Sequence, residues 1–287
     1  MKPFYDTKRF LKLIRRQFRR AAAARRWGRE TLQRMPAVLG NAMPKAGSHL
    51  IIQVLLGLPE FAPFVNPGFP PVNRYEDNSR LPEPKMLANI TRMQPGDISY
   101  GYVHARPPFL GALTAPGRAT IFVYRDPRDL IISHVFYATD IHKTHELREY
   151  YREKLDNMPS RIDATIRGIQ DPSAPLADIR WQYENFLPWL EQPDVLCLRF
   201  EELILARTAA FNRLLDYLAQ RGYTPQIERA QALAALERAI DPKKSGTFRK
   251  AQPGNWQQHF TEANKAALKE IAGDILIRLG YEKDNDW

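Results

Sequence analysis

Apolar and polar residues fall along this chain in blocks whose lengths predict strands followed by helices. "PAVLGNAM" (Pro36–Met43) is short and almost wholly apolar, the pattern of a buried strand. "SHLIIQVLLGL" after it is longer and predicts a helix. "DISYGYVHA" predicts a second strand. "GRATIFVYRDPRDLIISHVFYATD" predicts a strand, a turn and a helix, with Pro127 in the first helical turn. "DVLCLRF" predicts a further strand, and helices are expected around 207–221, 226–239 and 262–279. The region 142–190 is polar and helix-prone. Residues 59–95 are rich in Pro, Gly and Asn and predict one long irregular segment, of the kind that serves as a lid or binding loop. Strands alternating with helices predict an α/β fold, a parallel sheet flanked by helices on both faces, in a single domain.

A different pattern precedes the first strand. In "TKRFLKLIRRQFRRAAAARRWGRE", Phe10, Leu11, Ile14, Phe18 and Ala21 recur at helical spacing with arginines on either side. Charge sharpens this picture. The net charge is +10, and residues 1–34 hold twelve Lys or Arg against Asp6 and Glu30, so the remainder is neutral. A nucleic-acid-binding body is thereby excluded by composition. Residues 1–34 are expected to form a basic amphipathic helical appendage, and residues 35–287 the main domain. The apolar positions are too interrupted by charge for a secretory signal. They also fall short of the roughly 20 apolar residues that a spanning helix needs. Two roles stay open for the appendage. It can contact an anionic membrane surface or an acidic partner, or it can pack on the body with its arginines in solvent. Cys197 is the only cysteine, which rules out an intramolecular disulfide and fits a cytoplasmic setting.

Three polar clusters follow the predicted strands, at the ends where open parallel sheets bind ligands. "PKAGSH" offers successive backbone N–H groups at a helix start, with Gly47 for close approach and Lys45 as a point charge. The same letters also fit a plain Pro-initiated turn. "YRDPRDLIIS" places Arg125 at a strand end and Ser133 eight residues later. That pair suits a phosphate, while a surface ion pair of Arg125 with Asp126 or Asp129 is the plainer alternative. "HARPP" places His104 where an imidazole can act as a general base. "SGTFRKAQPGNWQQHFT" is a basic loop in which Arg249 and Lys250 can close over an anion, or in which Phe248 and Trp256 merely anchor a connection. The other histidines show no metal-ligand spacing; His142 and His145 are three apart without a third ligand.

Together these clusters resemble the sulfotransferase family that uses 3′-phosphoadenosine 5′-phosphosulfate (PAPS). "PKAGSHLI" resembles its P-K-[ST]-G-[ST] loop, "YRDPRDLIISHVFY" its R-[DN]-P-[KR]-D-x-x-x-S strand and helix, and "FRKAQPGNWQQHFT" its R-K-G-x-x-G-[DN]-W-x-x-x-F-[ST] loop. The order and spacing hold from about residue 36 to 280. The resemblance implies a P-loop-like 5′-phosphosulfate loop formed by Lys45, Ala46, Gly47, Ser48, His49 and Leu50. It assigns Lys45 to the charge that develops on the bridging oxygen, and His104 to the general base. It assigns Arg125, Ser133, Arg249 and Lys250 to the 3′-phosphate, with Thr247 and Phe248 in the same loop and Phe200 beside the adenine. Catalysis is expected to rest on Lys45, His104 and Ser133. No metal is required, because lysine and oriented N–H groups supply the electrostatic stabilisation.

Four positions depart from the family pattern. Ala46 stands where Ser is common, Leu50 where an aromatic packs on adenine, Ala251 where R-K-G has glycine, and Tyr102 where cytosolic members often have lysine. A carboxylate among Glu76, Asp77 and Glu83 is the alternative base. The expected acceptor is a hydroxyl on a glycan, a lipid-linked molecule or a small alcohol or phenol. A cytoplasmic location is expected, with membrane association through residues 1–34 if the appendage lies on a bilayer. The competing enzyme class is a P-loop kinase or NTPase, which predicts a G-K-[ST] triplet that is absent here. A non-catalytic, membrane-recruited adaptor on the same fold is the other alternative.

Overall fold

A computed structural model describes residues 3–75, 77, 79–244 and 252–287. In chain order its elements are α1 (Pro3–Trp27), α2 (Arg29–Arg34), β1 (Ala37–Ala42), α3 (Ser48–Gly57), α4 (Glu83–Thr91), β2 (Ile98–Gly101), α5 (Phe109–Thr114) and β3 (Arg118–Tyr124). There follow α6 (Pro127–Phe136), α7 (Met158–Arg167), α8 (Ile179–Glu184), β4 (Val195–Arg199), α9 (Phe200–Leu205), α10 (Arg207–Gln220), α11 (Arg229–Arg238) and α12 (Glu262–Arg278). Two compact units emerge, one from residues 1–123 and 189–242, the other from 124–188 and 243–287.

The first unit is built on a four-stranded parallel sheet in the order β2-β1-β3-β4. β1 pairs with β2 from Val38↔Ile98 to Asn41↔Gly101, and with β3 from Ala37↔Arg118 to Ala42↔Val123. As a central strand covered on both faces, β1 is buried along its whole length, which is why it reads as a near-continuous apolar run. α3 lies close on it at Gly40, where a Cβ would come within 2.8 Å of Leu55. Val38, Ile121, Leu55, Phe211, Leu214 and Leu218 form the centre of the core. Strand order reverses beside β1, so its carboxyl end is the topological switch point, the usual ligand position in such sheets.

Two sequence expectations need correction. The stretch 59–95 is not irregular throughout: Glu83–Thr91 is helical, with Pro84 in its first turn and Met86 and Ile90 buried. Its proline fits a helix start, which the density of prolines obscured. In α1 the arginines are not all in solvent. Arg16 is buried and, with Arg20, ends on the carboxylate of Asp97, while Phe18 of the apolar stripe is exposed. Among the described residues no helix is long and apolar enough to cross a membrane.

The second unit is helical. α6 starts at Asp126, whose carboxylate caps the N–H of Arg128, with Pro127 next. α12 opens with a capping box of Thr261 and Asn264. α7 packs against both α6 and α12. The Arg128 guanidinium lies 4.1 Å from the Trp256 ring and 4.7 Å from that of Trp287, and it also pairs with Asp126 and Glu282.

Candidate active site

In the first unit the loop after β1 turns sharply. Lys45 has φ 66°, an uncommon conformation for a side chain larger than Asn, and Gly47 has φ 94° and ψ 26°. The Gly47 position admits no side chain, because a Cβ would sit 2.4 Å from the Phe200 ring. Phe200, at the first position of α9, therefore packs directly on the loop. α3 starts at Ser48 without a side-chain cap. The first N–H groups of a helix have no intrahelical partner, so this end is suited to an anion. Ala46 adds no donor of its own: its side chain is buried and its N–H is bonded to the Met43 carbonyl. Leu50 packs against the core, and its N–H bonds to the Gly47 carbonyl. Both residues shape the turn.

The end of β2 is tied to the end of β1 by one side chain. Asn41, fully buried, accepts from the Val103 N–H at 2.8 Å and donates to the Val103 carbonyl at 2.9 Å. The indole N–H of Trp189 donates to the same carbonyl at 2.8 Å. One residue earlier, the Tyr102 hydroxyl lies 2.9 Å from the Ser48 hydroxyl. These bonds bring the loop after β1 and the segment leading into His104 together. His104 is half-buried, and its pKa is held below the ordinary value by burial and then by the positive charge of Arg80. His49 is shifted in the same direction by desolvation and by Lys45. Of the alternative bases, Glu83 is paired with Arg106, and Asp77 accepts from the N–H and hydroxyl of Ser79. Glu76 lies outside the described residues.

In the second unit Arg125 is buried, not a member of a surface pair. Its guanidinium stands 3.8 Å from Asp129, and its carbonyl accepts from the Tyr183 hydroxyl at 2.7 Å. Asp129 is 1% exposed and receives the backbone N–H groups of Gly254 and Trp256 at 2.7 and 2.9 Å. Burial raises its pKa, against the lowering effect of Arg125 and those two bonds. Ser133 is half-buried on α6. Thr247, Phe248, Arg249 and Lys250 lie outside the described residues.

Sequence reasoning missed Asn41, Trp189, Arg80 and the Asp129 bonds. Asn41 did leave a signal, since a lone amide inside the apolar run "AVLGNAM" calls for a buried hydrogen-bond partner. Nothing local marks Trp189, which lies 86 residues from its partner.

Comparison with known proteins bears on both units. Residues 112–280, more than half of the chain, match the family model described as the sulfotransferase domain. That stretch takes in Arg125, Ser133 and Phe200 and begins after Lys45 and His104. The chain is 20% identical over 270 residues to Sulfotransferase 6B1 of Danio rerio, covering 84% of this chain and 80% of that protein. Among solved structures it resembles mouse sulfotransferase SULT7A1 complexed with PAP, with a TM-score of 0.59 at 13% identity over 90% of this chain and 91% of that one. It also resembles retinol dehydratase in complex with androsterone and inactive cofactor PAP, with a TM-score of 0.55 at 15% identity over 86% and 83%.

Proposed function

The chain belongs to the sulfotransferase family, and from that premise we propose that it transfers a sulfuryl group from PAPS to an acceptor hydroxyl, with His104 as general base. The observation that carries this reading is the Ser48–Tyr102 hydrogen bond beside the Phe200 ring on Gly47. It brings an anion-ready helix start, an aromatic face and the approach to His104 into one unit. The residues fit the group: the α3 start lacks a side-chain cap, the glycine leaves room only for backbone, and Lys45 adds positive charge.

PAPS, when bound, supplies the sulfuryl group and leaves as 3′,5′-bisphosphoadenosine. The N–H groups at the start of α3 and the Ser48 hydroxyl bind the 5′-phosphate end, and Lys45 stabilises the charge that grows on the bridging oxygen. His104, whose pKa is held below the ordinary histidine value, takes the proton of the acceptor hydroxyl as that oxygen bonds to sulfur. Phe200 offers a flat apolar face to the adenine. To Arg125 and Ser133, and to Arg249 and Lys250 beyond the described residues, the family motifs assign the 3′-phosphate. Retinol dehydratase has been solved with androsterone and with retinol, which supports an acceptor hydroxyl on an apolar molecule. We assign the enzyme to the cytoplasm, with residues 1–34 as a peripheral membrane contact.

Calorimetry tests the reading. Metal-free binding of 3′,5′-bisphosphoadenosine, with none of ATP and magnesium, is expected; no binding of the bisphosphate would overturn it. His104→Ala should lower turnover strongly, and near-normal rates would move the base to another residue.

A further inference from the structure

Several arginines of α1 turn inward, onto the body. Arg16 and Arg20, one turn apart, each place a nitrogen 2.7 Å from a different oxygen of Asp97, which is 1% exposed. The backbone N–H of Gln94 completes that carboxylate at 2.9 Å. Arg20 also donates to the Pro95 carbonyl and Arg19 to that of Asn66, while Arg16 lies 4.6 Å from the Phe69 ring. Arg26 reaches the carbonyls of Pro59 and Glu60. The side roughly opposite carries two exposed apolar residues. Phe18 is 71% exposed and Leu11 is 50% exposed.

Leu11, Arg15, Phe18, Ala22 and Arg25 are spaced by four and three, so they form one stripe, and all five are exposed. No acidic residue lies between Asp6 and Glu30. The stripe thus combines two protruding apolar groups with fixed positive charge. A partner helix would need a continuous apolar seam, and here two of the five positions are arginine. A nucleic acid has no use for Phe18 and Leu11, and several of the helix's arginines are already spent on Asp97 and on backbone carbonyls. An anionic bilayer matches both properties: acyl chains receive the apolar groups and headgroup phosphates receive Arg15 and Arg25.

We propose that the outer stripe of α1, Leu11, Arg15, Phe18, Ala22 and Arg25, is a docking face for an anionic lipid bilayer, held outward by the grip of Arg16 and Arg20 on Asp97. The proposal rests on the peripheral-membrane reading of residues 1–34 and specifies which side chains carry it. It is independent of the sulfuryl-transfer chemistry.

The test uses the full chain and vesicles of phosphatidylcholine with or without phosphatidylserine, read by co-sedimentation. Wild type should bind the anionic vesicles and not pure phosphatidylcholine. The double substitution Leu11→Ser, Phe18→Ser should reduce partitioning about tenfold or more, and Arg15→Glu with Arg25→Glu should abolish it. Leu205→Ser, at another exposed leucine of the same unit, should change nothing. All these positions are exposed, so melting curves should coincide with that of wild type. Failure of wild type to bind anionic vesicles overturns the membrane reading itself. Wild-type binding that the Leu11 and Phe18 substitutions leave intact overturns only the assignment of this face. Equal binding to both vesicle types overturns the electrostatic half of the argument.

Discussion

Replacing Asn41 by leucine, which is close in volume, removes the side-chain clasp between β1 and the segment that leads into His104. Two hydrogen bonds are lost, each contributing about 1 kcal/mol net. The buried Val103 N–H is then left without its acceptor, which costs roughly 1–3 kcal/mol more. The Val103 carbonyl keeps the Trp189 indole, so that end adds nothing. The total is about 3–5 kcal/mol, and at roughly 2–4 °C per kcal/mol the melting temperature should fall by about 6–20 °C. Activity should suffer further, because a displacement of about 1 Å at a reacting group can cost on the order of 100-fold in rate. Thermal melts followed by calorimetry, with turnover measured well below the new midpoint, separate the two effects. A melting temperature within about 2 °C of wild type would refute the energetic role of Asn41. A marked loss of stability with unchanged turnover would refute its role in holding His104.

Gly47→Ala should be worse for binding than for folding. A methyl group there meets Phe200 at 2.4 Å in a left-handed conformation, so a loss of 3′,5′-bisphosphoadenosine affinity of at least about tenfold is expected by calorimetry. Tyr102→Phe removes one partner of Ser48 and should raise the KM for PAPS several-fold with little change in melting temperature. In the double mutant with Ser48→Ala the two effects should not add, and additivity would sink the coupling. With its pKa lowered, His104 predicts that kcat/KM rises with pH through a value below 6.5 and then stays level; a midpoint above 6.5 would contradict it. The sign for stability follows from the same shifts. Unfolded histidine binds protons more readily than His49 and His104 do in the fold. Their contribution is therefore complete above 6.5 and lost as pH falls through the lowered values, as an acid titration of the melting midpoint should show. Lys45→Gly should leave stability within about 1 kcal/mol, because it relieves a left-handed backbone while freeing the unfolded chain, yet it should lower kcat sharply.

Much of the fold was legible because its inner strands, β1 and β3, are buried on both faces. β1 and β3 announce themselves as apolar runs, and Pro127 and Gly47 mark the breaks beside them. The helix Glu83–Thr91 was hidden because its proline-rich approach resembles a loop, and no propensity argument weighs a Pro in a first turn against the six prolines from Pro59 through Pro82. The orientation of α1 was illegible for a different reason. Apolar periodicity predicts which residues share a face, and Leu11 and Phe18 do share one. The inner face is set by partners distant in sequence, among them the buried carboxylate of Asp97, 77 residues from Arg20, and the carbonyl of Asn66. At the candidate site Lys45, Gly47 and His104 were visible as motif letters, while Asn41 and Trp189, which hold the approach to His104, are set by tertiary pairing.

The strained backbone at Lys45 connects these observations. A lysine at φ 66° costs on the order of 1–2 kcal/mol relative to a glycine in the same place. Such a cost persists where the surrounding structure over-determines it. Here the constraints come from both sides: the Ala46 N–H is fixed on Met43, and Gly47 is pressed under Phe200. The ammonium gains position from this turn, since its stem leaves a backbone that cannot relax without unseating the start of α3. In the proposed transfer without a metal, that rigidity would matter, because a charge that must reorganise during bond cleavage stabilises a leaving oxygen less than one already in place.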